Sequence, residues 1–286
     1  MLPLILVIFV FYVVLPIYRV YHFVRPPRLP LPSVNPREYG LNGREVVFES
    51  RDGLKLCGWY VPSKNRAAVI LVHGYGGNRL AMVNHAKTLA GHGYGVLLYD
   101  MRAHGNSEGR LFAAGWDAAE DVLGALAFLR VRARVERLRI GALGVSVGGQ
   151  VVIRAAAQTD ELRAVVADGP DFSTLKDVQP PTTLRSWLLL PVNWLYDRSM
   201  TWHTGLSAPA PLVEALRDVA PRAVLLISTG RGSEQRVARK LYDAAGEPKT
   251  LWEIPGAHHA SAWLTHPEEY AAKIVTFFDQ ALLAPD

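Results

Sequence analysis

Eight short β-branched or apolar runs recur along the chain, reading "REVVFES", "LKLCGWYV", "AAVILVHG", "GYGVLLYD", "LRIGALGV", "LRAVVADG", "RAVLLIST" and "TLWEIPG". The first two follow each other closely enough to form a hairpin. After them, stretches with helical periodicity separate most of the runs. Parallel neighbours need a crossover that travels back along the sheet, and strand twist favours a right-handed one. The pattern therefore predicts an α/β domain on a mostly parallel eight-stranded sheet, with helices on both faces. At 286 residues, half of them hydrophobic, the chain can bury one large core, and no internal repeat divides it.

Ahead of this pattern, "MLPLILVIFVFYVVLPIY" runs from Met1 to Tyr18 without a charge, and Arg19, Arg25 and Arg28 follow. About 18 helical residues at 1.5 Å rise reach roughly 27 Å, close to the hydrocarbon thickness of a bilayer. A core helix of a soluble protein carries one apolar stripe, whereas this segment is apolar on every face. A cleaved signal peptide needs a basic residue before the run and a small-x-small site after it, and "YRVYHFVRPP" offers neither. The expectation is an uncleaved transmembrane anchor over residues 1–24. Residues 25–36, "RPPRLPLPSVNP", are too rich in proline for helix or sheet and predict an extended tether over residues 25–37. That leaves 38–286 as the globular domain. Because the arginines follow the apolar run, the charge bias predicts a single-pass protein of the cell membrane with its domain on the cytoplasmic side. There Arg25 and Arg28 can meet anionic headgroups.

Composition excludes other classes. One cysteine, Cys57, rules out an intrachain disulfide framework and argues against a cysteine metal cluster. The net charge is +5, but the basic residues are scattered rather than gathered into a nucleic-acid footprint.

In a parallel sheet, ligands collect outside the carboxyl ends of the strands. Four polar segments fall there: "HGYGGN" after the third strand, "DMRAHGNSEG" after the fourth, "GVSVGG" after the fifth and "IPGAHH" after the last. Gly-x-Ser-x-Gly between a strand and a helix is a nucleophile elbow, a turn so tight that Ser146 is pushed toward solvent. A serine hydroxyl needs a base to take its proton and a third group to orient that base. His258 and His259 lie in the last loop, and His259 is preferred as base. Glu234, in "GRGSEQRVARKLYDAAG", is the carboxylate near the start of the loop after the seventh strand, giving the chain order Ser146, Glu234, His259. It could instead be a first-turn acid serving its own helix, in which case Asp168 or Asp171 after the sixth strand would orient the histidine. For the oxyanion of an acyl transfer, the backbone amides of Val147 and Tyr75 are the expected donors. The glycines of "HGYGG" lack the spacing and the Gly-Lys-Ser/Thr ending of a phosphate loop.

These segments give the chain a resemblance to the α/β-hydrolase superfamily, in its membrane-anchored bacterial, serine aminopeptidase-like form. The resemblance covers about residues 38–284. "VHGYGGN" resembles the oxyanion loop, "DMRAHGNSEG" the Asp-x-Arg-x-x-Gly-x-Ser stretch, "GVSVGG" the elbow and "IPGAHH" the terminal histidine motif, whose closing histidine maps to His259. The chain departs from the family around the acid, where "SEQRVA" carries Glu234 in a loop with an apparent extra residue. About fifty residues separate the sixth and seventh strands, and a cap is expected over about 172–210, with Trp187, Trp194, Tyr196 and Trp202 near helical spacing. It would be a helix pair packed on the body, or a cover that shields the serine and lines an apolar acyl pocket.

The expected function is a serine hydrolase acting on small-molecule or lipid-like carboxylic esters through an acyl-enzyme, without metal or organic cofactor. Amide or peptide cleavage uses the same machinery, and a silent membrane-tethered binding module is the alternative outside enzymes. Oligomeric state is not legible.

Overall fold

The structure is a computed structural model that describes residues 2–29, 31–32, 34–132, 134–171, 174–177, 181 and 183–284. The cap positions 172, 173, 178–180 and 182, and the tether positions 30 and 33, lie outside the described residues.

All eight runs form strands: β1 (Arg44–Glu49), β2 (Lys55–Val61), β3 (Ala68–Val72), β4 (Gly95–Tyr99), β5 (Ile140–Val145), β6 (Leu162–Asp168), β7 (Ala223–Ser228) and β8 (Lys249–Glu253). They make one sheet in the order β1-β2-β4-β3-β5-β6-β7-β8. β2 is antiparallel to both β1 and β4, and every other pair is parallel. In that register Val72 sits beside Gly144, and Val145 beside Asp168, so the loops that follow β3, β5 and β6 leave from one edge.

The strands read as continuous apolar runs because both faces are covered. Ile70, Leu97, Ala142, Val165 and Leu226 point one way, onto helices Ala119–Arg130, Val147–Ala156 and Gly232–Ala244. Val69, Leu71, Leu98, Leu143 and Val166 point the other way, onto helices Val83–Gly91 and Pro267–Phe278.

At the N-terminus, residues Pro3–Phe23 form one helix long and apolar enough to cross a membrane. Pro16 has no amide for the carbonyl four residues back, and the turn before it, Val10–Val14, widens to π geometry. Leu4 to Phe9 are 49–65% exposed, which is not the environment of a core helix.

The segment that follows is not a free tether. Val20 and Val24 are fully buried in a third apolar cluster with Ala113, Trp116 and Met200. The Val24 carbonyl accepts the Phe112 amide at 2.9 Å. Arg28 donates to the carbonyls of Gly105 (3.2 Å), Ser107 (2.7 Å) and Gly109. Its guanidinium is thus engaged with the domain. Among the described residues of 25–37, helix appears only where Pro36 opens a 3-10 turn, Pro36–Tyr39, and the side chain of Arg28 straps the segment to the body.

Among its described residues the cap differs from a helix pair: a short 3-10 turn, Leu175–Asp177, precedes one long helix, Leu184–Thr204. Trp187, Trp194 and Trp202 are exposed, and Tyr196 packs against Phe23.

Candidate active site

β5 delivers Ser146 to the carboxyl edge of the sheet, and helix Val147–Ala156 begins at the next residue. Turning from strand to helix across one residue forces Ser146 to φ 56° and ψ −121°. An L residue there carries strain of about 1–3 kcal/mol. Its amide is held at 2.7 Å by the Asp168 carbonyl. Only glycine fits on either side: a β-carbon at Gly144 would strike the Gly148 carbonyl, and one at Gly148 would strike the Val72 carbonyl. The serine is left partly exposed at the edge.

The loop after β8 is closed by Ser261, whose Oγ accepts the His258 amide and donates to the His258 carbonyl, both at 2.8 Å. Both histidines are exposed, and of the two it is His259 whose Nε2 lies 2.9 Å from Ser146 Oγ. His259 Nδ1 lies 2.7 Å from Glu234 Oε2. A carboxylate only accepts, so Nδ1 carries the proton and Nε2 is left to accept from the serine. Glu234 lies in the first turn of helix Gly232–Ala244, and its Oε1 accepts the Thr229 amide at 2.8 Å. Glu234 thus sits where an acid favours its helix dipole, and it also accepts from the imidazole. Asp168 faces elsewhere, accepting the Tyr270 hydroxyl at 2.9 Å in full burial, and Asp171 is exposed.

The charges are matched to this arrangement. The Glu234 hydrogen bond raises His259 above 6.5 against its partial burial, and Asp171 and Asp168 push the same way. Burial opposes ionisation of Glu234, but the bonds from His259 and Thr229 outweigh it and hold the carboxyl below 4.5. Burial lifts Asp168 to about 7, the Tyr270 hydroxyl opposing the rise and the Glu234 charge adding to it.

Across from the serine, the loop after β3 comes close: a β-carbon at Gly74 would sit 3.4 Å from Ser146 Cβ. Tyr75 follows in this loop. Val147, first in its helix, has an amide with no intrahelical acceptor. Two buried histidines shape the loop. His73 Nδ1 donates to the Gly74 carbonyl (2.7 Å) and its Nε2 accepts the Met101 amide (3.0 Å). His104 Nδ1 donates to the Arg102 carbonyl (2.9 Å) and its Nε2 accepts the Gly76 amide (3.1 Å). Both therefore act as neutral rings. Burial pushes His73 down to about 4 and also lowers His104. Beneath them, Asp100 binds the Arg79 side chain and the Asn106 amide, tying the loop after β3 to the loop after β4. Sequence reading missed these histidines as loop supports; the signal was a histidine before glycine at the ends of two adjacent strands. Among the described residues, no group of three or more His, Cys, Asp or Glu is placed to hold a metal ion.

Residues 63–217, more than half the chain, match the family model described as Hydrolase_4, serine aminopeptidase, S33. The chain is 32% identical over 224 residues to the uncharacterized protein Rv2307c of Mycobacterium tuberculosis, covering 76% of this chain and 72% of that one. It is 26% identical over 253 residues to the uncharacterized protein YfhR of Escherichia coli, covering 84% and 82% of the two chains. Among solved structures, the Pyrococcus furiosus esterase Pf2001 matches with a TM-score of 0.74 at 25% identity, over 91% of this chain and 98% of that one.

Proposed function

Because the chain belongs to the serine aminopeptidase S33 family of α/β hydrolases, we propose that this hydrolase is a membrane-anchored serine esterase. The observation that carries the reading is the hydrogen-bonded chain from Ser146 through His259 to Glu234 at the elbow. Ser146 Oγ attacks the ester carbonyl carbon as its proton passes to His259 Nε2. The carbonyl oxygen takes up the electron pair and is met by the amides of Tyr75 and Val147. Collapse of this intermediate expels the alkoxide, which leaves as alcohol with the proton from His259. Water then repeats the sequence on the acyl-serine, releasing the acid and restoring the hydroxyl. Glu234 holds the imidazole in the productive tautomer and stabilises the imidazolium.

The same steps cleave an amide, and the aminopeptidase description of the matched family favours that second reading. Turnover of matched short-chain and long-chain acyl esters and amides by the full chain, with Ser146→Ala as control, decides between them. Faster ester than amide turnover supports the esterase; amide turnover at least as fast would overturn it in favour of the second reading.

The N-terminal helix supports the membrane part of the proposal, with residues 1–24 as anchor and the domain on the cytoplasmic side. A reporter phosphatase active only outside the cytoplasm, fused after Asp286, should stay silent in intact cells. Strong phosphatase activity would reverse the topology.

A further inference from the structure

The helix Leu184–Thr204 has 21 residues, yet among its described side chains only Ser199 and Met200 are buried. Leu184 is 76% exposed, Trp187 60%, Leu188 53%, Trp194 55% and Trp202 74%. Single exposed leucines are ordinary on a protein surface, whereas five large apolar side chains along one helix mark a surface meant to be covered.

The neighbour of this helix says by what. Phe11 and Tyr12, midway along the N-terminal helix, share an apolar groove of about 440 Å³ with Leu184, Arg185, Leu188 and Leu189. Further on, the Tyr21 ring lies 5.7 Å from His203 and the Phe23 ring 6.5 Å from Tyr196. The middle of the N-terminal helix meets the start of the cap helix and its last turn meets the second half, so the two helices run side by side in the same direction. A bilayer crossed by the first also surrounds the start of the second.

Chemistry agrees with that placement. From Leu184 to Tyr196 the sequence has no acid and one base, Arg185, while the N-terminal helix has no acid and one arginine, Arg19. The helix start is also sealed: Thr183 Oγ1 accepts the Ser186 amide at 3.2 Å, and Ser186 Oγ accepts the Thr183 amide at 2.9 Å. Satisfying these amides removes part of the cost of taking a helix end out of water. Lower down, Arg198 lies over the Trp194 ring at 5.7 Å, a pairing suited to the headgroup level.

We propose that the first turns of this cap helix, from Leu184 to about Trp194, are immersed in the bilayer beside the N-terminal helix. The cap is then a second membrane-contacting element, and its partner is lipid rather than protein or water. The proposal rests on the reading of the N-terminal helix as membrane-spanning.

Nitroxide accessibility tests it on the full chain in vesicles of zwitterionic and anionic phospholipid. Labels are placed by Leu188→Cys, Ile8→Cys and Leu138→Cys, each in a Cys57→Ser background. The ratio of oxygen to aqueous-nickel relaxation at 188 should match that at 8 and exceed that at 138 by about tenfold, because oxygen concentrates in the hydrocarbon that nickel complexes avoid. A label at 188 as open to nickel as that at 138, with 8 still protected, would overturn the proposal and leave the anchor standing. Nickel access at both 8 and 188 would remove the anchor and the proposal together. Shielding of 188 from both reagents would assign the surface to a second protein chain and also overturn it.

Discussion

Tyr75 lies flat on Phe23: the ring centroids are 4.4 Å apart, the planes are 7° from parallel, and the Tyr75 hydroxyl donates to the Phe23 carbonyl at 2.9 Å. The last turn of the N-terminal helix therefore supports the loop assigned to the oxyanion. Phe23→Ala should lower kcat about fivefold with KM changed far less, since a lost ring pair is worth about 1 kcal/mol and the loss falls on transition-state geometry. Deleting residues 1–24 should cost at least as much. Steady-state kinetics on a soluble ester reads both, and an unaltered kcat would separate the helix from the site.

The acid is tested by substitution. Glu234→Gln keeps the size of the side chain but loses the charge that stabilises the imidazolium, and it should lower kcat/KM by about two orders of magnitude or more. Asp168→Asn, which can still accept from Tyr270, should stay within about tenfold of wild type. The reverse pattern would move the acid to the end of β6.

The pH profile gives a second view of the same pair. His259 must be neutral to accept the serine proton, so kcat/KM rises with pH through the His259 pKa, which Glu234 holds above 6.5. The limb should be centred above that value in wild type and should move to lower pH in the residual activity of Glu234→Gln. A limb that stays in place would mean that Glu234 does not act on the imidazole.

Asp168 predicts a stability effect of opposite sense to that of a paired carboxylate. Its pKa rises from 3.8 to about 7 on folding, so the folded state holds the proton more tightly and stability falls as pH climbs between those values. Asp168→Asn should unfold at higher urea than wild type at pH 8, by a difference on the order of a few kcal/mol that shrinks toward pH 4. A pH-independent gap would show that Asp168 is not carrying a displaced proton equilibrium.

The strands and the elbow were legible because their signals are local. Valine and isoleucine runs such as "AVILV" are buried on both faces, and Gly144 and Gly148 are demanded by contacts within a few residues or one strand away. The apparent extra residue before Val237 obscured that helix Gly232–Ala244 starts early enough to bring Glu234 within 2.7 Å of His259 Nδ1. Arg28 and Phe23 were not legible. Their partners lie some 50 to 80 residues away in loops, and proline content reports the backbone of 25–36 without saying what its side chains hold. The tryptophans of the cap have helical spacing, but spacing does not say whether a stripe faces a core or a bilayer.

The central claim is that Ser146 is an activated nucleophile, and covalent capture tests it most directly. The full chain in detergent or vesicles is treated with a fluorophosphonate probe, and the adduct is mapped by peptide mass spectrometry. One adduct is expected, on Ser146, absent in Ser146→Ala and slowed in Glu234→Gln. An unlabelled native protein, beside a serine hydrolase that reacts under the same conditions, would contradict it.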